Sequence, residues 1–212
     1  GFHAGDANEM QATVRLAKQH NVAIGAHPGW PDLQNFGRNE MNFSPEETQA
    51  LVLYQIGALA GIAKAQGAEL VHVKPHGALY NQAARDFVLA QAIAHAVKAF
   101  SRELILVGLA GSSLVEAGLE SDMRVANEGF PDRAYNPDGT LMSRRIKGAV
   151  SESPEEVAEN AIRLIKDGIL FGGKRIQVDT LCLHGDNIHA AGNAKLLREV
   201  LLKNTVEIKG LK

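Results

Sequence analysis

The chain has 212 residues, with 22 Lys and Arg against 24 Asp and Glu, a formal net charge of -2, and a single cysteine. That length suits one α/β domain with a substantial core, and the residues are expected to form a single domain spanning 1–212. The balanced charge argues against nucleic acid and anionic membranes as partners, Cys182 alone excludes an internal disulfide, and no run approaches the roughly 18 apolar residues of a membrane span. A cytoplasmic protein acting on small molecules, with protein partners, is the expectation.

Gly1-Phe2-His3-Ala4-Gly5-Asp6 reads as the end of a strand entering a helix, so an N-terminal strand is expected to be missing from this chain. Asp6 and Glu9 have capping-box spacing, and Met10, Val14 and Ala17 continue a helix to about His20-Asn21. Val22–Ala26 is a short apolar strand that delivers His27-Pro28-Gly29-Trp30-Pro31-Asp32 into a long loop, a candidate lid running past Phe36-Gly37-Arg38. Ser44-Pro45-Glu46-Glu47 opens a helix that stops near Gln66-Gly67. A strand from Leu70 to Lys74 follows, ended by Pro75, with His76 and Gly77 turning the chain.

Further along, a helix is predicted over about 86–100, a strand over 104–109, a short helix near 114–117, and a weaker strand over 124–128 that carries Glu128 at its end. A polar excursion through Asp132, Arg133, Tyr135 and Arg144-Arg145 precedes a second capping signal, Ser153-Pro154-Glu155-Glu156, and a helix to about Lys166. The last strand is predicted over 177–183, running into His184-Gly185-Asp186, and a closing helix over about 188–203. Strands alternating with helices imply a parallel sheet with right-handed crossovers. Polar groups at nearly every strand end favour a barrel with one mouth over an open doubly wound sheet.

The strand ends offer His3, Asp6, His27, Lys74, His76, Glu128, His184 and Asp186. Each has a plainer explanation. Asp6 at its spacing from Glu9 suits an N-cap as well as a catalyst, and Lys74 with Glu128 could be a structural ion pair. His72 reads as a hydrogen-bonded strand residue, and His20, His95 and His189 as helix-surface groups. His3, His27, His76 and His184 together are harder to dismiss than any one alone. With Asp6 and Asp186 they could also supply metal ligands, although the spacing is no known zinc signature. Cys182 is expected to be buried and inert, and Ser112-Ser113 after Gly111 could offer N–H groups to an anion. Gly-x-x-x-x-Gly-Lys-Ser/Thr is absent.

Several stretches, taken in order, resemble the LamB/YcsF family: Gly1-Phe2-His3-Ala4-Gly5-Asp6, Ile24-Gly25-Ala26-His27-Pro28, Tyr54 to Leu59, His72 to Tyr80, Glu128-Gly129-Phe130-x-Asp132-Arg133-Ala134-Tyr135, Asp138-Gly139-Thr140-Leu141, and Cys182-x-His184-Gly185-Asp186. Family members begin with an acidic first strand that this chain lacks. The resemblance implies a distorted seven-stranded (β/α) barrel of the glycoside hydrolase and deacetylase type. It also implies ATP-dependent hydrolysis of 5-oxo-L-proline to L-glutamate, with ADP and phosphate formed, in a complex with subunits B and C, and Mg²⁺ accompanying the nucleotide.

A five-membered lactam resists water until its oxygen is activated, which phosphorylation would achieve. Lys74 with Arg133 or Arg144 is expected to balance negative charge, Asp6 or Glu128 to activate water, and His76 or His184 to protonate the departing nitrogen. His3, His27 and Asp186 complete the substrate-binding set. Two readings compete: a metal-dependent amide hydrolase or deacetylase without ATP, and a lactam-binding or scaffolding subunit without catalysis. A protein-bound divalent metal and self-association are both compatible with the sequence.

Overall fold

The computed structural model describes residues 1–151, 153–185 and 190–211, which fall into two compact units. The first comprises Gly1–Gly108 and Ser112–Val125 with the residues from Gly210, and the second Leu109–Gly111 and Ala126–Lys209.

In the first unit α1 (Ala7–Gln19) leads to β1 (Ile24–Ala26), α2 (Pro45–Ala65), β2 (Leu70–Val73), α3 (Gly77–Ala83), α4 (Phe87–Phe100), β3 (Ile105–Leu109) and α5 (Ser113–Glu120). Helix starts follow side chains that satisfy orphan N–H groups. Asp6 accepts from the N–H groups of Asn8 and Glu9, Ser44 and Glu47 form a full capping box on α2, and Asp86 accepts from Leu89. The strands β1, β2 and β3 pair in parallel, with Gly25 opposite His72 and Val73 opposite Leu106. Gly25 is needed there, since a Cβ would lie 2.1 Å from His72 Nε2. His72 is thus a packing residue seated on that glycine.

Helix α4 packs against both α2 and α5, and its buried Ala90, Ala92, Ala94 and Ala96 let neighbours approach on more than one face. Ile56, Val52, Val73, Ile93, Leu106 and Leu114 are fully buried in the same cluster. Each such side chain contributes about 1.5–3 kcal/mol relative to exposure.

The second unit holds most of β4 (Arg124–Gly129), then α6 (Pro154–Asp167), β5 (Ile169–Phe171), β6 (Lys174–Ile176), β7 (Thr180–Leu181) and α7 (Ala190–Lys203). Strand β7 pairs in parallel with β4, Glu128 facing Thr180, while β5 and β6 form an antiparallel hairpin across Gly172-Gly173. Ala110, Leu164 and Ile169 anchor one apolar cluster, and Ala161, Leu197 and Leu201 join α6 to α7 in another.

The five strands expected from apolar runs are the five parallel strands found. Other expectations are corrected. Helix α3 begins directly after His76, where the sequence suggests only a turn, and α5 extends to Glu120 rather than Ala117. The hairpin of β5 and β6 has no counterpart among the expected elements. Strand β7 is only two residues long, and just before it the Asp179 carboxylate accepts from the N–H and side-chain amide of Asn127. Cys182 consequently lies past the strand end and is half-buried instead of buried. No helix among the described residues is long and apolar enough to cross a membrane.

Candidate functional site

In the first unit the parallel ladder continues beyond the strand ends. Lys74 N–H donates to Ala26 O at 2.9 Å and His76 N–H to Pro28 O at 2.8 Å, so the loops after β1 and β2 leave in register. This brings His27 and His76 side by side, and the segment before α1 adds His3. The His3 and His76 rings stack with centroids 3.7 Å apart and planes 7° from parallel, and His27 meets both edge-on. One ring nitrogen from each lies within 4.8 Å of the others.

Hydrogen bonds set the tautomers, because carbonyl oxygens only accept. His27 Nδ1 donates to Lys74 O at 2.6 Å, and His76 Nε2 donates to Phe36 O at 2.7 Å. His27 Nε2 and His76 Nδ1 then face one another at 3.0 Å. His3 is 7 % exposed, and its Nδ1 has no hydrogen-bond partner among the described residues. Burial, then the neighbouring His76 and N-terminal charges, lowers His3 to about 3. His27 is also lowered to about 3, first by crowding of its ring against protein, then by Lys74 and His76, although the residue as a whole is exposed. Both are neutral imidazoles near pH 7.

Gln55 on α2 holds this arrangement from below. Its Oε1 accepts from the N–H groups of Phe2 and Gly29, and its Nε2 donates to Gly29 O and Leu51 O. The loop after β1 is no free lid. Trp30 is buried and donates to Gln82 Oε1 at 2.7 Å, Gln82 also bonds both backbone groups of Met41, and buried Asp32 accepts from Asn35 and Asn39. The loop ends its turn at Phe36 and Gly37, both in the left-handed region with φ 55° and 66°, which aims the Phe36 carbonyl at His76.

The second unit carries a different constellation. Glu128, on β4, is 3 % exposed. Four residues on, buried Asp132 accepts from His184 Nδ1 at 2.7 Å, and Phe130 stacks against the His184 ring. The other Asp132 oxygen is buried with no partner among the described residues. Tyr135 accepts from Phe130 N–H at 2.7 Å, and burial, with Glu128 and Asp132 nearby, raises its hydroxyl pKa.

Among the expected site residues, His3, His27 and His76 come together, with the Lys74 backbone as their support, and Glu128 and His184 belong to the second constellation. Asp6 is exposed and caps α1. Arg133 donates to Ala149 O and Met142 O, bracing the polar excursion, and Arg144 is exposed on a turn. Asp186 and the start of the closing helix lie outside the described residues, as does His189. The Ser112-Ser113 anion site is not borne out, because Ser113 N–H already donates to Ala84 O at 3.1 Å. Sequence reasoning misses Asp132, Gln55 and Phe36 as functional positions. Asp132 carries a signal, since it sits in the Glu128 to Tyr135 stretch that resembles the family.

Fold and side chains define a parallel α/β protein whose first unit gathers three imidazoles at strand ends and whose second holds a carboxylate-bound histidine, each equipment for proton transfer or metal ligation. The chain belongs to the LamB/YcsF family, which it matches over residues 1–212. The 5-oxoprolinase A subunit of Pyrococcus furiosus is 50% identical over 212 residues, covering 98% of this chain and 83% of that protein. Its counterpart from Methylococcus capsulatus is 52% identical over 215 residues, covering 100% of this chain and 83% of its own length. The crystal structure of a lactam utilization protein from Thermus thermophilus superposes with a TM-score of 0.89 at 47% identity, over 99% of this chain and 85% of that one.

Proposed function

We propose that this chain is the A subunit of an ATP-dependent 5-oxoprolinase, opening the lactam of 5-oxo-L-proline to L-glutamate with ADP and phosphate as co-products. Similarity to proteins of that name over the whole chain carries this reading. Subunits B and C are the partners, ATP with Mg²⁺ the co-substrate, and the cytoplasm the compartment. Residues 1–212 form one domain and contribute their parallel strands to a distorted (β/α) barrel of seven strands.

Hydrogen bonds support one division of roles. His184, with Nδ1 donating to Asp132, is oriented to exchange a proton at Nε2, so it protonates the departing lactam nitrogen. Glu128 is the base for water, because the Asp6 carboxylate is engaged in capping α1. Lys74 balances charge on the activated carbonyl, and Arg133 orders the excursion more than it reaches outward. His3 and His27 border the substrate, together with Asp186.

Full-length protein is assayed with subunits B and C, 5-oxoproline, ATP and Mg²⁺, scoring glutamate and phosphate. Lys74→Met abolishes both products while circular dichroism is unchanged, and Asp132→Asn lowers kcat about 10²-fold or more. Unimpaired turnover by Lys74→Met removes that residue from the scheme. Hydrolysis with a divalent metal and no nucleotide replaces the scheme with a metal-dependent amidase. Lactam binding without any turnover reduces the chain to a scaffold.

A further inference from the structure

The backbone fixes two imidazoles in an arrangement that calls for positive charge between them. With Nδ1–H of His27 given to Lys74 O and Nε2–H of His76 given to Phe36 O, the nitrogens left to face each other at 3.0 Å both carry lone pairs when the two rings are neutral. Lone pairs at that separation repel unless a cation lies between them. A metal-bound histidine commonly donates its other ring N–H to a backbone carbonyl, which is what both rings do here. Zinc binds imidazole at about 2.0–2.1 Å, so two such nitrogens on a tetrahedral ion stand about 3.3 Å apart, close to the spacing observed.

We infer that His27 Nε2 and His76 Nδ1, with His3 as third ligand, hold a divalent transition ion of the zinc class. The His3 ring as it stands is stacked on His76, and its in-plane lone pairs run parallel to those of that ring. Coordination therefore requires a turn about the His3 Cβ–Cγ bond. No hydrogen bond to Nδ1 opposes that turn among the described residues, and Gly29 leaves room for it, since a Cβ there would stand 2.8 Å from His3 Nδ1.

Phe36 supports a built site. A bulky residue held at φ 55° costs about 1–2 kcal/mol, and the strained turn delivers the carbonyl that orients His76. The all-nitrogen donor set excludes Mg²⁺ and Ca²⁺, which take oxygen ligands, and suits zinc, cobalt, nickel or copper. His27 is exposed, so water or a carbonyl oxygen can approach this end of the site.

The test uses the full-length protein, stripped with chelator and titrated with Co²⁺ followed by Zn²⁺. The expected result is one ion per chain, visible d–d bands of a low-symmetry nitrogen site bleached by Zn²⁺, and a chelator-reversible rise in Tm. His27→Gln and His76→Gln each weaken binding more than about 100-fold, and His20→Gln leaves it unchanged. Apo circular dichroism and Tm establish that the variants fold. Absence of stoichiometric binding, or binding that survives both ligand substitutions, overturns the site. So does a ¹⁵N spectrum in which the metal-free pair shares a proton at neutral pH and does not respond to Zn²⁺. Because no substrate, nucleotide or partner subunit takes part, failure here leaves the lactam reading standing, and the converse holds.

Discussion

Gln55 uses every hydrogen-bonding position of its amide: two acceptances at Oε1 and two donations from Nε2, tying Phe2 and Gly29 to α2. Those are neighbours in sequence of His3 and His27, so a residue remote from the chemistry sets where two imidazoles stand. Gln55→Leu keeps the volume but strands buried backbone groups at Gly29. Urea denaturation is expected to register a loss on the order of 3 kcal/mol. His3 gives a pH signature. Its pKa falls from the ordinary 6.5 in the unfolded chain to about 3 when folded, so below pH 6.5 the unfolded state takes up a proton that the folded state refuses. The stability due to neutral His3 is full above pH 6.5 and drains as pH falls toward 3, at no more than about 1.4 kcal/mol per pH unit. In chelator, His3→Gln should flatten that part of the stability profile. An unchanged slope would show that His3 protonates as easily folded as unfolded.

Segments differ in how legible they are, for physical reasons. The strands at Ile24–Ala26, Leu70–Val73 and Ile105–Leu109 are mainly apolar runs closed by turn residues, a pattern that period and length both report, whereas Arg124–Gly129, with Arg124, Asn127 and Glu128, signals more weakly. Helix α2 announces itself through Ser44, Pro45 and Glu47. Helix α3 is hidden because Pro75-His76-Gly77 reads as a turn, and it is one: Gly77 adopts φ 53° and then opens a helix. The hairpin of β5 and β6 is hidden by brevity and by Lys174-Arg175 after the turn, although Gly172-Gly173 following apolar Ile169–Phe171 is a hairpin signal. Gly77 tests the first of these explanations. A Cβ there would lie 2.5 Å from Gly37 O, an atom that itself accepts from Ala78 N–H. Gly77→Ala is expected to cost on the order of 3 kcal/mol, read as a fall in Tm with loss of metal-induced stabilisation.

Across the molecule, strand-end histidines are visible in the sequence as candidates because parallel strands deliver their carboxyl ends to loops. Their grouping is not visible, since proximity of His3, His27 and His76 depends on a ladder joining residues about fifty positions apart in sequence. Asp132 stands in a stretch that marks the family, yet its chemistry is silent there, because only the fold brings it to His184. At this scale the prediction concerns coupling. With the full-length protein, glutamate release and phosphate release should run one to one when subunits B and C are both present, and neither should occur with this chain alone. Phosphate without glutamate would locate lactam opening elsewhere.

The hydrogen bonds from Lys74 to Ala26 and from His76 to Pro28 have a broader meaning. The loops that present reactive groups are fastened by main-chain atoms, which every amino acid other than proline supplies alike. Side chains at the rim can therefore be exchanged while the path beneath them persists. A library randomised at positions 27, 74 and 76, excluding proline, should yield mostly well-folded proteins with altered chemistry, making this rim a practical starting point for redesigning what the protein acts upon.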